Sequence, residues 1–360
     1  MRLILLAGAL GLIGAMLGTR LAIRVLVRRG YGQHVRDDGP QTHLKKAGTP
    51  TMGGVAIIGA VLMAYLLAHL VLWTPPTASG VLLLGLFVGL GFVGFLDDWI
   101  KISRARSLGL NSRAKLILQG LIAIGFAWAC FQFPDGRGIS PGSQYVSFLR
   151  DIQWLHLGPW LGMAWIIFII AAFSNGVNLS DGLDGLATGL TTMVFVAYAL
   201  VNFWQHSQWC SRLSTAGPMC YEVRDPNDLA AVSLALAGAT FGFLWWNASP
   251  AKIFMGDSGS LALGGAVAGL AVLTRTELLA VILGGMFVLI TLSVVLQVGY
   301  FKLTGGKRLF KMAPLHHHFE MKGWAEQTVV VRFWIICGIF VAAGLGLFYA
   351  EWVAGTDLIG

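Results

Sequence analysis

Runs of roughly 17–25 predominantly apolar residues return ten times along this 360-residue chain, each the length a helix needs to cross the hydrocarbon core of a bilayer. Nothing else restricts the fold as much, because in lipid only helices and closed barrels satisfy their own backbone. The runs fall at roughly 3–27, 51–73, 80–97, 115–133, 159–177, 186–204, 229–246, 259–275, 278–302 and 329–353, placed by hydropathy and length. Only 12% of the residues are charged, against 56% hydrophobic, whereas a soluble domain carries about a quarter charged residues. The expected fold is an all-α polytopic membrane protein, one transmembrane unit over residues 1–360 with no separate soluble domain. The first run begins at Met1-Arg2 and is too long for a signal-peptide core, so it counts as a true span. The eighth is short and glycine-rich, and reads as two pieces or one tilted helix. The ninth is long enough to bend. No internal repeat stands out, which leaves the inverted-repeat transporter pattern without support.

An even number of spans places both termini on one side, and the five loops that follow odd-numbered spans on the other. Those five loops and their flanks hold Arg24, Arg28, Arg29, Arg36, Lys45, Lys46, Lys101, Arg104, Arg106, Arg113, Lys115, Lys252, Lys302, Lys307, Arg308, Lys311, Lys322 and Arg332, most of the 25 Lys and Arg. Cytoplasmic loops collect such residues, so this side is expected to be cytoplasmic and both termini periplasmic. The net charge of +8 then belongs to a face suited to anionic lipid heads and anionic substrates. Because the basic residues track topology so closely, a nucleic-acid partner is not expected.

Five polar clusters land on that same side. The central one is Asn175-Gly-Val-Asn178-Leu-Ser-Asp181-Gly-Leu-Asp184-Gly. A helical turn would put Asp181 and Asp184 on one face, and paired acids at the mouth of a bilayer suit a metal or a phosphate–metal complex. The plainer reading is a capped interfacial turn. Gly94-Phe-Leu-Asp97-Asp98-Trp-Ile-Lys101 closes the third span, where two adjacent carboxylates need a cation, a lysine or open water; the plainer reading is a solvated helix end. Lys115 follows at the start of the next span. Lys45-Lys46-Ala-Gly-Thr-Pro-Thr-Met-Gly-Gly pairs ammonium groups with backbone suited to a phosphate, or is a basic juxtamembrane anchor. Trp246-Asn247 through Phe254-Met-Gly-Asp257-Ser-Gly again ends in an acid at the start of a span. Asn247 offers an amide to a base or sugar, and Phe254 a ring to stack on or to pack. Pro314-Leu-His316-His317-His318-Phe-Glu320 carries three consecutive histidines, which rarely converge on one zinc but suit phosphate binding or proton transfer near neutral pH.

Taken together, in order and across essentially the whole chain, these motifs resemble the phospho-N-acetylmuramoyl-pentapeptide-transferase family of the polyprenyl-phosphate N-acetylhexosamine-1-phosphate transferase superfamily. The resemblance implies a multi-pass enzyme of the bacterial cytoplasmic (inner) membrane that carries out phosphoglycosyl transfer in peptidoglycan biosynthesis. It implies transfer of phospho-N-acetylmuramoyl-pentapeptide from UDP-N-acetylmuramoyl-pentapeptide to undecaprenyl phosphate, giving lipid I and UMP, with Mg²⁺ as cofactor and a homodimer as the assembly. Under it, Asp257 holds the metal against the diphosphate and Asp97 faces the acceptor phosphate. Asp98 and Asp181 shape the metal and nucleotide site. Lys46, Lys101, Lys115 and His316 bind phosphate oxygens. Asn178, Asp184, Asn247, Phe254, Gln297 and His317 face the uridine and sugar. Two rival readings are a transporter with acids at mid-bilayer depth and a UDP-N-acetylglucosamine phosphate transferase on the same scaffold. The acids cluster at span ends, against the first; the histidine motif and the Thr-Pro-Thr-Met-Gly-Gly run argue against the second.

Cys130 and Cys337 sit within apolar runs and read as packed hydrophobes. Cys210 and Cys220 share the outer loop around 205–228, where an oxidising space permits a disulfide. Alkylation of this loop is expected to add mass only after reduction; two alkylatable thiols in oxidised membranes would refute the pairing.

Overall fold

The computed structural model describes residues 1–31, 48–104, 109–211 and 219–357. The chain opens with four helices, α1 (Arg2–Arg28), α2 (Gly54–Leu72), α3 (Ala78–Ser103) and α4 (Ser112–Cys130). An antiparallel hairpin of β1 (Tyr145–Ser147) and β2 (Asp151–His156) follows. The remainder is helical: α5 (Gly158–Ser180), α6 (Leu186–Ser207), α7 (Pro226–Asn247), α8 (Gly256–Leu273), α9 (Glu277–Leu283), α10 (Gly285–Leu303), α11 (Leu315–Glu320) and α12 (Glu326–Asp357). Ten of these are long and apolar enough to cross a membrane, as the hydropathy runs require. The eighth span is one continuous helix, α8, rather than two pieces. The ninth breaks at Gly284, between α9 and α10.

Helix α8 is the axis of the bundle. Every residue from Ser258 to Leu273 is buried, which its sequence of Gly, Ala, Leu and Val makes possible, since small residues let membrane helices approach closely. Helices α3, α5 and α2 pack around it. A Cβ on Gly94 would collide with the backbone of Asp257, and one on Gly54 with the backbone of Gly259. A Cβ on Gly264 would strike Phe173 and Ser174 of α5. The glycines of the Gly94-Phe-Leu-Asp and Met-Gly-Gly motifs are therefore contact points between helices. On the opposite flank α1 lies along α7, with Gly8 and Gly11 set against Leu234 and Ala235.

The two ends of the bundle are built differently. At one end, buried Asp228 of α7 accepts hydrogen bonds from Tyr65 Oη (2.8 Å), His69 Nε2 (2.9 Å) and Thr77 Oγ1 (2.6 Å). These bonds tie the close of α2 and the start of α3 to α7. Nearby, Arg150 donates to Glu351 of α12 (2.7 Å) and to the carbonyls of Met219 and Cys220, while its guanidinium lies over Tyr221. Cys210 and Cys220 form the expected disulfide in the same region. The hairpin is held through Asp151 to Arg275 (3.0 Å) and through the Ser147 amide to Glu277 (2.9 Å). The other end collects the polar clusters singled out above.

Because Gly94 is where α3 meets the backbone of Asp257, Gly94→Val is expected to cost about 1–3 kcal/mol by overpacking and to displace Asp257. A thermal scan should show a lowered transition with loss of transfer activity. Gly85→Ala, on a stretch of α3 with open space beside it, is expected to change neither.

Candidate active site

The site forms where the C-terminal turns of α3, the start of α4, the end of α5 and the first turn of α8 meet. Helix α3 runs on to Ser103, so Asp97, Asp98 and Lys101 lie on its last two turns rather than beyond its end. Spacing of three and four residues puts them on one face. Asp97 and Asp98 are both buried. Burial of two neighbouring carboxylates is costly unless each is paired or hydrogen-bonded, and each is. Asp97 accepts from the Leu110 amide through Oδ1 (2.8 Å), fixing the α3–α4 connection, and pairs with Lys101 Nζ through Oδ2 (2.6 Å). Asp98 accepts the backbone N–H groups of Asp257 (3.1 Å) and Ser258 (3.0 Å). A carboxylate of α3 thus caps α8, satisfying amides that have no partner within their own helix.

Asp257 is the hub. Its Oδ2 accepts from Lys101 Nζ (2.9 Å) and Lys115 Nζ (2.8 Å), and its Oδ1 from Asn178 Nδ2 (2.8 Å). Asn178 also donates to Ser260 Oγ at 2.8 Å. Ser260 follows Asp257 by one helical turn, and that spacing was the signal available for it. Oxygens of Asp97, Asp98 and Asp257 all lie within 4.8 Å of one another. Hard carboxylate oxygens grouped this closely, with ammonium groups beside them, are a donor set that fits a hard divalent cation and phosphate. Asp97 and Asp257 hold lysine ammonium groups that such an ion could displace, whereas both oxygens of Asp98 already accept amides of α8.

The loop after α5 departs from expectation. Asp181 caps α5 and Asp184 lies in the turn before α6, so the two acids do not share the face of a helical turn; the glycines at 182 and 185 break the helix there. Asp184 is buried and its Oδ2 accepts from the Ala251 amide (3.1 Å), while its own amide donates to Glu326 (2.9 Å). It pins three segments together. Enclosure by the protein, then the charges of Asp257, Asp98 and Asp184, push the Asp181 carboxyl up to about 8. Asp181 is thus a neutral or shared-proton group near pH 7, set beside the three-carboxylate cluster.

The remaining candidates divide. His316 is fully buried and packs against Gly182, which links the histidine motif on α11 to the loop after α5. His317 Nδ1 lies 2.7 Å from Glu320. Asn247 is buried, with its amide nitrogen donating to the Ile253 carbonyl (2.9 Å) and its oxygen accepting from Thr188 (2.6 Å); both ends of the amide are used in holding the 248–255 loop. Phe254 is half-buried and exchanges backbone hydrogen bonds with Pro50 and Gly53, joining that loop to the start of α2. Gln297 Oε1 accepts from the amides of Leu309 (3.1 Å) and Phe310 (2.8 Å), shaping a cleft that Lys302, Arg308 and Lys311 also line. Lys46 lies outside the described residues.

Asp97→Asn and Asp257→Asn are each expected to lower turnover at least about a hundredfold, the scale of losing one charge-stabilising group, while the protein elutes and melts as a folded species. Asn247→Ala is expected to lower the melting transition instead. The pH dependence has a definite sign. A carboxyl raised from its ordinary value near 4 to about 8 binds more protons folded than unfolded. Stability therefore falls as pH rises between those values, and Asp181→Asn is expected to flatten that fall in melting curves recorded from pH 5 to 8.

Comparison with known proteins places the chain in a family. The model of glycosyl transferase family 4 matches residues 80–275, the stretch that supplies Asp97, Lys101, Lys115, Asn178 and Asp257. The phospho-N-acetylmuramoyl-pentapeptide-transferase signature 1 matches residues 46–58. A protein of that name from Cutibacterium acnes is 65% identical, over 99% of this chain and all of the relative. Others are 61% identical in Kineococcus radiotolerans, over 99% of this chain and all of the relative, and 59% in Paenarthrobacter aurescens, over 97% and 98%. With this likeness running from end to end, the chain belongs to the phospho-N-acetylmuramoyl-pentapeptide-transferase family.

Proposed function

We propose that this chain transfers phospho-N-acetylmuramoyl-pentapeptide from UDP-N-acetylmuramoyl-pentapeptide to undecaprenyl phosphate, giving the lipid-linked diphosphate and UMP. The observation that carries the reading is the meeting of Asp97, Asp98 and Asp257 with Lys101 and Lys115 at one end of a ten-span bundle. An oxygen of the lipid phosphate attacks the phosphorus next to the sugar, the bond from that phosphorus to the bridging oxygen breaks, and UMP departs with the bridging oxygen and the electron pair. Two anions must be brought together, so positioning and charge stabilisation supply most of the catalysis.

Asp257 and Asp97 are the residues that would hold Mg²⁺, which when bound neutralises the diphosphate and orients it. Lys101, Lys115 and Lys46 hold phosphate oxygens, with His316 at the edge of that group. The second pKa of a phosphate monoester is about 6, so the acceptor is largely deprotonated near neutral pH. Asp97 then orients it or takes its remaining proton, and direct in-line transfer needs no phospho-enzyme. Asn178 orients Asp257. Phe254, Gln297 and His317 face the uridine and sugar, while Asn247 and Asp184 shape the loops that present them. The chain acts as a single transmembrane unit in the bacterial inner membrane, with the site on the cytoplasmic side, both termini outside and a homodimer as its assembly.

Purified protein supplied with undecaprenyl phosphate is expected to release UMP from UDP-N-acetylmuramoyl-pentapeptide but not from UDP-N-acetylglucosamine, to stop when the metal is chelated, and to resume with Mg²⁺. Use of the second donor instead would reassign the substrate. Exchange of labelled UMP into the donor without lipid acceptor would count against direct transfer.

A further inference from the structure

Lys101 sits where its charge is most contested. Its ammonium lies 2.6 Å from Asp97 Oδ2, 2.9 Å from Asp257 Oδ2 and 3.8 Å from Asp98 Oδ1, so it faces all three carboxylates of the cluster. Lys115 approaches the same Asp257 oxygen from α4 at 2.8 Å. We propose that Lys101 is a built-in counter-ion that competes with the divalent cation for Asp97 and Asp257, and that cation binding turns its ammonium outward onto the donor's diphosphate. This rests on the reading of the site as a metal-dependent phosphoglycosyl transferase.

Three observations carry the inference. First, a small divalent ion binds carboxylate oxygens directly, at about 2.0–2.1 Å, and the oxygens it would use are the two Oδ2 atoms that Lys101 already engages. An ammonium and a dication cannot share them in a half-buried site without strong repulsion. Second, Asp98 is the acid least able to draw the cation away from Lys101. Its two oxygens hold the Asp257 and Ser258 amides, and removing them would uncap α8. Third, the two lysines differ in freedom. The Lys101 side chain keeps 32% of its surface exposed against 17% for Lys115, and it springs from the last turn of α3, so it is the one with room to leave. Lys115 pairs with Asp257 alone, whereas Lys101 stands on both of the acids the cation would take.

The arrangement has a chemical consequence. Three clustered carboxylates stay partly neutralised without the cation, and the positive charge the cation displaces is delivered within reach of the phosphates it must meet. Metal binding and donor binding are thereby coupled through one side chain, and Lys101 acts as a positioning residue as well as a phosphate ligand.

The test measures metal binding in the full-length detergent-solubilised protein without nucleotide, using Mn²⁺ as the probe and the free-ion electron paramagnetic resonance signal as the readout. Lys101→Gln is expected to bind Mn²⁺ roughly two- to fivefold more tightly than the wild type, the scale of removing one partly exposed ion pair. Lys101→Arg, which keeps the charge, is expected to show no gain, and Asp257→Asn to lose binding. A Lys101→Gln protein with unchanged or weaker Mn²⁺ affinity, while Asp257→Asn still abolishes binding, overturns the inference alone. Absence of Mn²⁺ binding in the wild type would remove the metal-dependent reading beneath it as well. A second measurement needs no variant. Acetylation of Lys101 in the wild type, followed by mass spectrometry, is expected to become severalfold faster when Mg²⁺ is added, and unchanged or slower labelling overturns the proposal.

Discussion

The carboxylate of Asp98 accepting the first amides of α8 is the contact from which the rest of the site follows. It fixes the height and rotation of α8 relative to α3, and so fixes Asp257 one residue into that helix. The glycines at 54 and 94 let the two backbones close up around it. Once Asp257 is placed, Asn178, Lys101 and Lys115 converge on it from three other segments. A buried carboxylate paired with helix amides is stable only if every lone pair has work to do, and here structural and chemical demands are met by neighbouring acids. Asp98 secures the scaffold, and Asp97 and Asp257 hold the lysines.

Much of this was legible in the sequence. Hydropathy alone located ten spans, because a bilayer imposes a length and leaves little room for alternatives. The alternation of loops placed the polar motifs at one end, and the structure brings Asp97, Lys101, Lys115, Asn178 and Asp257 together there. The finer divisions were not legible. Asn247 and Asp184 look in sequence like ligand contacts, yet their polar atoms hold loops, and a string of letters does not say whether an amide points inward or outward. Asp181 and Asp184 suggested a shared helical face, but glycine ends the helix between them. Glycines 54 and 94 carry no packing signal as letters, yet in the fold they mark close approach between helices. The boundary of α3 was drawn too early because charged residues lower hydropathy even where the helix continues.

The opposite end also carries information that composition hides. No motif in the sequence singles out Asp228, Asp225, Asp151 or Glu277. In the fold Asp228 alone gathers α2, α3 and α7, and Arg150 joins the hairpin side to α12 and to the disulfide loop. These contacts bridge residues far apart in the chain, which periodicity does not detect. Three-dimensional pairing, rather than residue type, turns them into a closure.

That closure has a mechanical corollary. Buried carboxylates, a guanidinium and a covalent link rivet the bundle across one rim without any group of the candidate site taking part. At the far rim the same acids that gather the segments also form the candidate site. Tethering and chemistry are thus separated at one end of the bundle and superimposed at the other, so a substitution at the far rim disturbs both together.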